Sequence, residues 1–285
     1  MSLPSLDVPA LLRQYGLRPD KKLGQNFLID PVALEQVVAA AGELAGEVVL
    51  EVGPGLGSLT RLLAARARRV VAVELDAGLI PPLERVLSKL ENVSIVGGDI
   101  LDLDPADLVG QPDYCVVANI PYYITSALLR HLLEAEARPD RMVLTVQREV
   151  AARICASPGE MSLLALSVQV YGQPQVTAHI PAGAFYPAPK VDSAVVRVDF
   201  YPEPRIPTPE LEAFFRLAKA GFSQKRKTLR NALAAGLGWP ANSVEQMLNT
   251  ANVDSRRRAE TLDLDEWHRL VSAYLSGIPQ QSDVA

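Results

Sequence analysis

The segment Asn119-Ile120-Pro121-Tyr122 places an amide, a rigid bend and an aromatic ring directly after the hydrophobic run 113–118. The oxygen of a carboxamide can accept hydrogen bonds from a planar exocyclic amine, and an adjacent ring can stack on the heterocycle that carries this amine. An enzyme that acts on the amino nitrogen of a nucleobase lifted out of its stack needs both groups. The segment is also compatible with an ordinary turn, because Asn-X-Pro is a common turn former. It therefore predicts a nucleobase site only if other features agree.

The composition is that of an ordinary globular protein, with 285 residues of which 48% are hydrophobic and 21% charged. This length allows one sizeable core plus a smaller domain. No apolar run approaches the ~18 residues of a membrane span, and no basic stretch followed by an apolar block opens the chain. We therefore expect neither a membrane partner nor a secretory signal.

The cysteines and histidines do not form a ligand pattern. Cys115 and Cys155 have no second cysteine or histidine at metal-ligand spacing, and the three histidines are scattered. We therefore expect no metal site, and we expect inert thiols in a reducing compartment, the cytoplasm.

Short apolar runs alternate with amphipathic stretches through the first half of the chain. Strands are predicted at 48–52, 70–75, 93–97, 114–118 and 142–146, with helices between them. This alternation is typical of an α/β fold with a mostly parallel, doubly wound sheet. Two later β-rich runs, 175–180 and 191–200, predict antiparallel strands that complete the sheet edge.

The proline-rich stretch 201–209 predicts a stiff linker between two domains. We expect one domain over 1–204 and a helical domain over 205–285. Within the second, helices are predicted at 210–222, 227–237, 243–249 and 264–275.

The charge of the second domain differs from that of the whole chain. Residues 215–258 contain nine basic and two acidic residues, whereas the net charge of the chain is -5. Such a basic module indicates that a polyanion binds there, although a merely solvated helix face is the common alternative. The basic residues that we expect to contact phosphate are Lys225, Arg226, Lys227 and Arg230, with Lys190 as one more near the site.

Polar groups follow four successive predicted strands. A glycine-rich turn, 51–57, ends the first strand, and Glu74, Asp99 and Asn119 end the next three. The carboxyl ends of parallel strands form the ligand-binding edge of open α/β sheets. Glu74 can accept hydrogen bonds from ribose hydroxyls, and Asp99 can accept from an adenine amine. Solvated strand-end carboxylates are the alternative, and a dinucleotide dehydrogenase would show the same early elements.

Taken together, these motifs resemble those of the ribosomal RNA adenine N6-dimethyltransferases. The stretches that carry the resemblance are Gly24–Leu28, Glu51–Gly55, Glu74–Asp76, Gly98-Asp99 and Asn119–Tyr123. Two later stretches, Phe185–Val195 and Phe222–Leu233, resemble the small-subunit branch of the family and not the antibiotic-resistance branch that acts on the large subunit. The resemblance covers about residues 10 to 270.

The resemblance implies a Rossmann-like class I methyltransferase sheet followed by a small all-helical, rRNA-binding domain. It also implies transfer of methyl groups from S-adenosylmethionine to N6 of two adjacent adenosines near the 3′ end of small-subunit (16S) rRNA. The partner would be the assembling 30S particle, in ribosome biogenesis, and we expect the enzyme to act as a monomer.

The resemblance also assigns roles to individual residues. The implied cofactor-binding residues are Gln25, Asn26, Leu28, Gly53, Glu74, Leu75, Asp99, Ile100 and Asn119. The expected catalytic residues are Asn119, Ile120, Pro121, Tyr122 and Phe185. For Phe185, a face that contacts the base and ordinary core packing both remain open.

Three other functions compete with this interpretation. An adenine methyltransferase of the same fold could act on large-subunit rRNA or on DNA, and the stretch around Lys227 argues against it. A non-catalytic RNA-binding factor would not need an intact Asn119–Tyr122 segment. A nicotinamide-dependent oxidoreductase leaves both that segment and the basic module unexplained.

Overall fold

The computed structural model describes residues 4–111, 113–120, 125–135 and 137–277. Its contacts divide the chain into two compact units. The sheet unit comprises Met1–Ala152 and Gln173–Phe200, and the helical unit comprises Arg153–Gly172 and Tyr201–Ala285.

A seven-stranded sheet forms the centre of the sheet unit, and its strands lie in the order β4-β3-β2-β5-β6-β9-β7. Strands β2 to β6 pair in parallel, and β9 pairs antiparallel with β6. A separate antiparallel pair joins β1 to β8. The strands are β1 (Phe27–Leu28), β2 (Val48–Val52), β3 (Arg69–Glu74), β4 (Val93–Gly97), β5 (Tyr114–Asn119), β6 (Arg141–Gln147), β7 (Gly172–Ile180), β8 (Phe185–Tyr186) and β9 (Ser193–Phe200).

Helices connect these strands. They are α1 (Val8–Gln14), α2 (Pro31–Ala41), α3 (Ser58–Ala64), α4 (Ile80–Leu87), α5 (Pro105–Val109), α6 (Thr125–Glu134) and α7 (Arg148–Ile154). The sequence determines where α2 begins, because the Asp30 side chain accepts from the Ala33 amide and Pro31 occupies the first turn. Within the part of the chain that the structure describes, no helix is long and apolar enough to cross a membrane.

One core cluster of the sheet unit lies between the sheet and helices α2 and α3. Val37 and Leu63 from these helices pack in one cluster with Val49 of β2 and Val117 of β5. Cys115 belongs to the same cluster, and burial raises the pKa of its thiol to about 12. The thiol is therefore protonated near neutral pH.

The helical unit contains α8 (Leu163–Gln169), α9 (Leu211–Phe222), α10 (Leu229–Leu237), α11 (Ala241–Thr250) and α12 (Leu264–Ser276). Trp267 of α12 is fully buried, and its ring stacks on Phe222 at a centroid distance of 6.0 Å. A Cβ added at Gly236 would lie 2.6 Å from Ala220 Cα, so α10 and α9 pack at a distance that only glycine permits.

The division into units differs from the boundary expected from the sequence, which gave domains of 1–204 and 205–285. The segment Arg153–Gly172 precedes the linker along the chain but packs with the helical unit. Backbone hydrogen bonds explain this placement: Tyr201 N–H donates to Tyr171 O at 2.9 Å and Arg205 N–H to Val170 O at 2.8 Å. Pairing of this kind between distant segments leaves no local sequence signal.

Candidate active site

A pocket opens where β2, β3, β4 and β5 end, within the sheet unit. Its lining includes the glycine-rich turn after β2 and the segment that leads into β1. The structure brings together around it the residues that the resemblance assigned to cofactor binding. These residues are Gln25, Asn26, Leu28, Gly53, Glu74, Leu75, Asp99, Ile100 and Asn119.

The glycine-rich turn has a backbone conformation and a close contact that only glycine permits. Gly55 has a φ of +58°, in the left-handed region that side chains rarely adopt. A Cβ added at this residue would lie 2.8 Å from Cδ1 of Phe27, which also lines the pocket. The Gly55 N–H donates to Glu74 Oε2 at 2.9 Å. The turn therefore brings its backbone up to the pocket and holds a carboxylate in place.

Glu74 is buried at the end of β3, and backbone donors hold both of its oxygens. Oε2 accepts from Gly55, and Oε1 accepts from the Asp76 N–H at 2.8 Å. Burial raises the pKa of this carboxyl, and the hydrogen bonds from the Asp76 and Gly55 amides oppose the rise. Because a carboxylate oxygen accepts more than one hydrogen bond, each oxygen can still receive a ligand hydroxyl. Two such oxygens in fixed positions suit a vicinal diol.

Gln25 connects two segments that cover the pocket. Its Nε2 donates to Asp76 Oδ2 at 2.7 Å, and its Oε1 accepts from the Asp20 N–H at 2.8 Å. The segment before β1 is thereby tied to the loop after β3.

Three further lining residues are two apolar side chains and one carboxylate. Leu75 is 46% exposed, whereas Ile100 is buried, and both line the pocket. Asp99 follows β4 and directly precedes Ile100, and its Oδ1 accepts from the Leu101 N–H at 2.9 Å. A flat heterocycle with an exocyclic amine matches this combination of groups.

Asn119 is the last residue of β5, and its side chain is oriented by a backbone contact. Its Nδ2 donates to the Asn26 carbonyl at 3.1 Å. Only the NH2 end of an amide can donate to a carbonyl, so this contact assigns Oδ1 to the other side. The next residue, Ile120, is buried and its N–H donates to Thr145 O at 3.3 Å. Pro121 and Tyr122 lie outside the described residues.

Phe185 lies in β8, and only 4% of its surface is exposed. It pairs with Leu28 of β1 and packs in the core cluster, and it is not among the residues that line the pocket. This burial supports the core-packing alternative, because a ring that stacks on a base must be accessible. A contact between Phe185 and the base stays a prediction.

The basic residues differ in how their charges are compensated. Lys225, Arg226 and Lys227 are exposed on the turn between α9 and α10, and no ion pair within the described ranges involves them. Lys190 is exposed after β8. Arg230, by contrast, forms an ion pair with Glu245 at 2.9 Å. The turn is therefore the strongest candidate for phosphate contact.

The three consecutive arginines after this turn each have an acidic partner. Arg256 pairs with Asp254 and Arg257 with Glu266, while Arg258 lies 3.6 Å from Glu260. Ion pairs within the helical unit therefore compensate much of their charge. The sequence count of basic residues therefore overstates the charge available to a polyanion.

Sequence reasoning assigned no role to Glu51, although it belongs to the glycine-rich motif. The residue lies in β2, is 1% exposed and lines the pocket. Burial raises the pKa of its carboxyl to about 8, with the Thr60 hydroxyl opposing the rise and the Glu74 charge adding to it. An acid inside an otherwise apolar strand was the signal that could have identified it.

Comparison with known proteins identifies close relatives along nearly the whole chain. The family model described as ribosomal RNA adenine dimethylase matches residues 17–275. A Dehalococcoides mccartyi protein named ribosomal RNA small subunit methyltransferase A is 49% identical over 274 residues, which cover 95% of this chain and 94% of the relative.

Two solved structures share the fold. The structure of 23S rRNA methyltransferase ErmE has a TM-score of 0.71 and 30% identity, and the match covers 87% of this chain and 99% of that one. A dimethyladenosine transferase from Plasmodium falciparum has a TM-score of 0.76 and 24% identity, covering 88% and 98%.

Proposed function

Since this chain belongs to the ribosomal RNA adenine dimethylase family, we propose that it dimethylates N6 of two adjacent adenosines near the 3′ end of small-subunit (16S) rRNA, using S-adenosylmethionine. One observation carries the proposal: the amide of Asn119 is oriented by the Asn26 carbonyl in the same pocket as Glu74 and Asp99. The pocket thereby combines an acceptor for an amine with carboxylates for an adenosine cofactor.

The donor supplies a methyl group already activated by a positively charged sulfur. The lining suits a cation, because it contains the carboxyls of Glu51, Glu74 and Asp99 and, among the described residues, no basic side chain. In this proposal Glu74 accepts from the ribose hydroxyls, while Asp99 and Ile100 frame the adenine. Gly53 lies against the methionine portion, Leu75 contacts the adenine face, and Gln25, Asn26 and Leu28 cover the ligand.

The acceptor poses the chemical difficulty, because the lone pair of adenine N6 is delocalised into the ring. Asn119 Oδ1 and the Ile120 carbonyl accept hydrogen bonds from N6 and favour a pyramidal nitrogen whose lone pair faces the methyl group. These contacts stabilise the transition state more than the ground state, which is the requirement for acceleration. Tyr122 stacks on the base, a contact worth ~1–3 kcal/mol. N6 attacks as a neutral amine and then loses its proton to water.

The RNA is held by exposed basic side chains. Lys225, Arg226 and Lys227 contact phosphates, with Lys190 beside the sheet, and Arg230 contributes less because Glu245 neutralises it. Phosphate contacts position the RNA without reading its sequence, so specificity comes from the shape of the assembling small subunit. The enzyme acts on this particle in the cytoplasm, as a monomer.

The proposal favours the small subunit over the large one. The relative named for the small subunit is 49% identical, whereas the solved structure named for 23S rRNA is 30% identical. The stretch Phe222–Leu233 supports the same choice, since it resembles the small-subunit branch of the family.

The substrate is tested by incubating the protein and tritiated S-adenosylmethionine with under-methylated small subunits, mature small subunits, large subunits and naked RNA. We expect label only on the under-methylated small subunits, at N6 of two adjacent adenosines. Label on the large subunit would favour the competing branch, and absence of label on any RNA would contradict the proposal.

A further inference from the structure

Glu51 is a buried carboxyl whose second oxygen is unsatisfied. The side chain is 1% exposed in β2 and lines the pocket. Its Oε2 has no partner at hydrogen-bonding geometry among the residues that the structure describes, and neither has the Thr60 hydroxyl that faces the carboxyl. A buried polar atom without a partner is costly, so it indicates either a functional role or a missing ligand.

The other two carboxyls of the pocket are held by backbone donors. Glu74 accepts from the amides of Gly55 and Asp76, and Asp99 accepts from the amide of Leu101. Glu51 faces the Thr60 hydroxyl of α3 and the Glu74 carboxyl of β3, and no basic side chain lines the described pocket. A positively charged ligand would therefore favour ionisation of Glu51, the carboxyl of the three for which no backbone donor compensates the charged form.

The donor and the product of methyl transfer differ in charge at one atom. S-adenosylmethionine carries a sulfonium, whereas S-adenosylhomocysteine carries a neutral thioether, and the adenosine, ammonium and carboxylate groups are common to both. Contacts with the shared groups cannot distinguish the two ligands. Discrimination requires a group that responds to the sulfur charge.

We propose that Glu51 makes the pocket prefer the sulfonium donor over its thioether product, and that its carboxyl releases a proton to solvent when the donor binds. After transfer, the methyl carbon is bonded to N6, the bonding pair of the broken S–C bond stays on sulfur, and N6 loses a proton. Glu51 then recovers a proton from solvent, which weakens the hold on the neutral product. The inference rests on the proposed function only in taking the sulfonium as the ligand.

The protonation states required for this cycle are consistent with the burial of Glu51. Burial raises the pKa of the free carboxyl to about 8, so at pH 7 most of the unliganded protein holds the proton. A nearby positive charge lowers the pKa of a carboxyl. Donor binding at pH 7 should therefore release close to one proton, and product binding fewer.

Isothermal titration of the full chain tests this directly. The binding enthalpies of S-adenosylmethionine and S-adenosylhomocysteine are measured at pH 7 in buffers with different ionisation enthalpies, and the slope gives the number of protons released. We expect the donor to release close to one proton and the product clearly fewer. Equal proton counts for the two ligands would overturn the inference.

The variant Glu51→Gln removes the titrating proton and keeps the size of the side chain. Its donor titration should lose the buffer dependence, and its preference for donor over product should fall about tenfold, the effect of one pKa unit. Glu84→Gln, an exposed change on α4 outside the pocket lining, controls for the loss of one negative charge. If Glu51→Gln does not fold, the proton counts of the unmodified protein decide alone.

These titrations need no RNA, so the two proposals fail separately. Linked proton release without methyl transfer to small subunits would contradict the proposed function and leave the role of Glu51 intact. Methyl transfer with no difference in proton release would overturn the role of Glu51 alone.

Discussion

The side-chain amide of Asn119 donates to the main-chain carbonyl of Asn26 at 3.1 Å, although the two residues are 93 positions apart in the chain. The contact joins the end of β5 to the segment before β1, and both residues line the same pocket. It also turns the amide so that its oxygen faces away from the Asn26 carbonyl. A single hydrogen bond thus couples the cover of the pocket to the group proposed to hold the acceptor nitrogen.

The role of Glu74 is tested by Glu74→Gln. The new NH2 group would face the N–H of Gly55 or Asp76, so one backbone hydrogen bond is lost along with a ribose contact. We expect donor affinity to fall roughly tenfold to hundredfold, as for loss of hydrogen bonds to a charged group. Calorimetry measures the affinity, and Glu84→Gln should bind normally. Unchanged affinity of Glu74→Gln would reject the ribose assignment.

The close approach of the glycine-rich turn is tested by Gly55→Ala and Gly46→Ala. Both glycines have a positive φ, so both variants introduce similar backbone strain, of about 1 kcal/mol or more. A Cβ at Gly55 would collide with the Phe27 ring, whereas nothing lies within 4 Å of one at Gly46. We expect Gly55→Ala to weaken donor binding about tenfold, which is about 1.4 kcal/mol, and Gly46→Ala to leave it unchanged. Equal affinities would show that the turn tolerates a side chain.

The exposed turn between α9 and α10 is tested by the double variant Lys225→Gln with Lys227→Gln. Losing two phosphate contacts should weaken binding to small subunits and make it less salt-dependent. The slope of log affinity against log salt should fall by about 1.4, at ~0.7 per contact with a single strand. The control, Arg85→Gln with Lys89→Gln, removes two exposed charges, one on α4 and one just after it. If both pairs change the slope equally, the turn has no specific role.

The buried carboxyl of Glu51 predicts a pH dependence of stability. The folded protein holds this proton up to about pH 8, whereas the unfolded chain releases it near pH 4.5. Raising the pH through this window therefore favours the unfolded chain, and the stability present below pH 4.5 is lost by pH 8. The free energy of unfolding should fall relative to Glu51→Gln by up to about 1.4 kcal/mol per pH unit. Denaturant titrations from pH 5 to 8 measure this, and a constant difference would contradict the burial of an ionisable group.

Much of the sheet was predictable because local sequence patterns indicate most of its strands. The runs 48–52 and 93–97 were predicted at the observed bounds, since short and mostly apolar runs bounded by turn residues are typical of strands. The pair β1–β8 was missed, because two-residue strands carry no periodicity and exist only through a partner far along the chain. Helices α7 and α8 lie between the predicted strands 142–146 and 175–180, and α8 packs in the helical unit, which no local pattern indicates.

The sequence predicted which residues meet at the pocket, because the sheet topology places them there. It did not predict how burial and packing change the charge of individual side chains. Glu74, Asp99 and Asn119 come together because parallel strands end at one edge of the sheet. The ion pair of Arg230 with Glu245 was not predictable, because it depends on the packing of α10 against α11. The same holds for Glu51, whose lack of a partner is a property of the folded core.

The orientation of the Asn119 amide can be varied in two ways. Asn119→Ala removes the acceptor oxygen together with the donor to Asn26. Asn119→Asp retains acceptor oxygens but loses the hydrogen bond from Nδ2, so its carboxylate is no longer held against Asn26. We expect both variants to bind the donor, with transfer lost more severely in Asn119→Ala.

The most direct test is a single-turnover measurement of methyl transfer by Asn119→Ala on under-methylated small subunits, with donor affinity measured on the same preparation. Loss of one preorganised hydrogen-bonding group in an active site reduces the rate by about 10²–10³-fold. We expect a loss of this size, with donor affinity changed by no more than about threefold, or roughly 0.65 kcal/mol. Transfer at the unmodified rate, or a loss explained entirely by weaker donor binding, would contradict it.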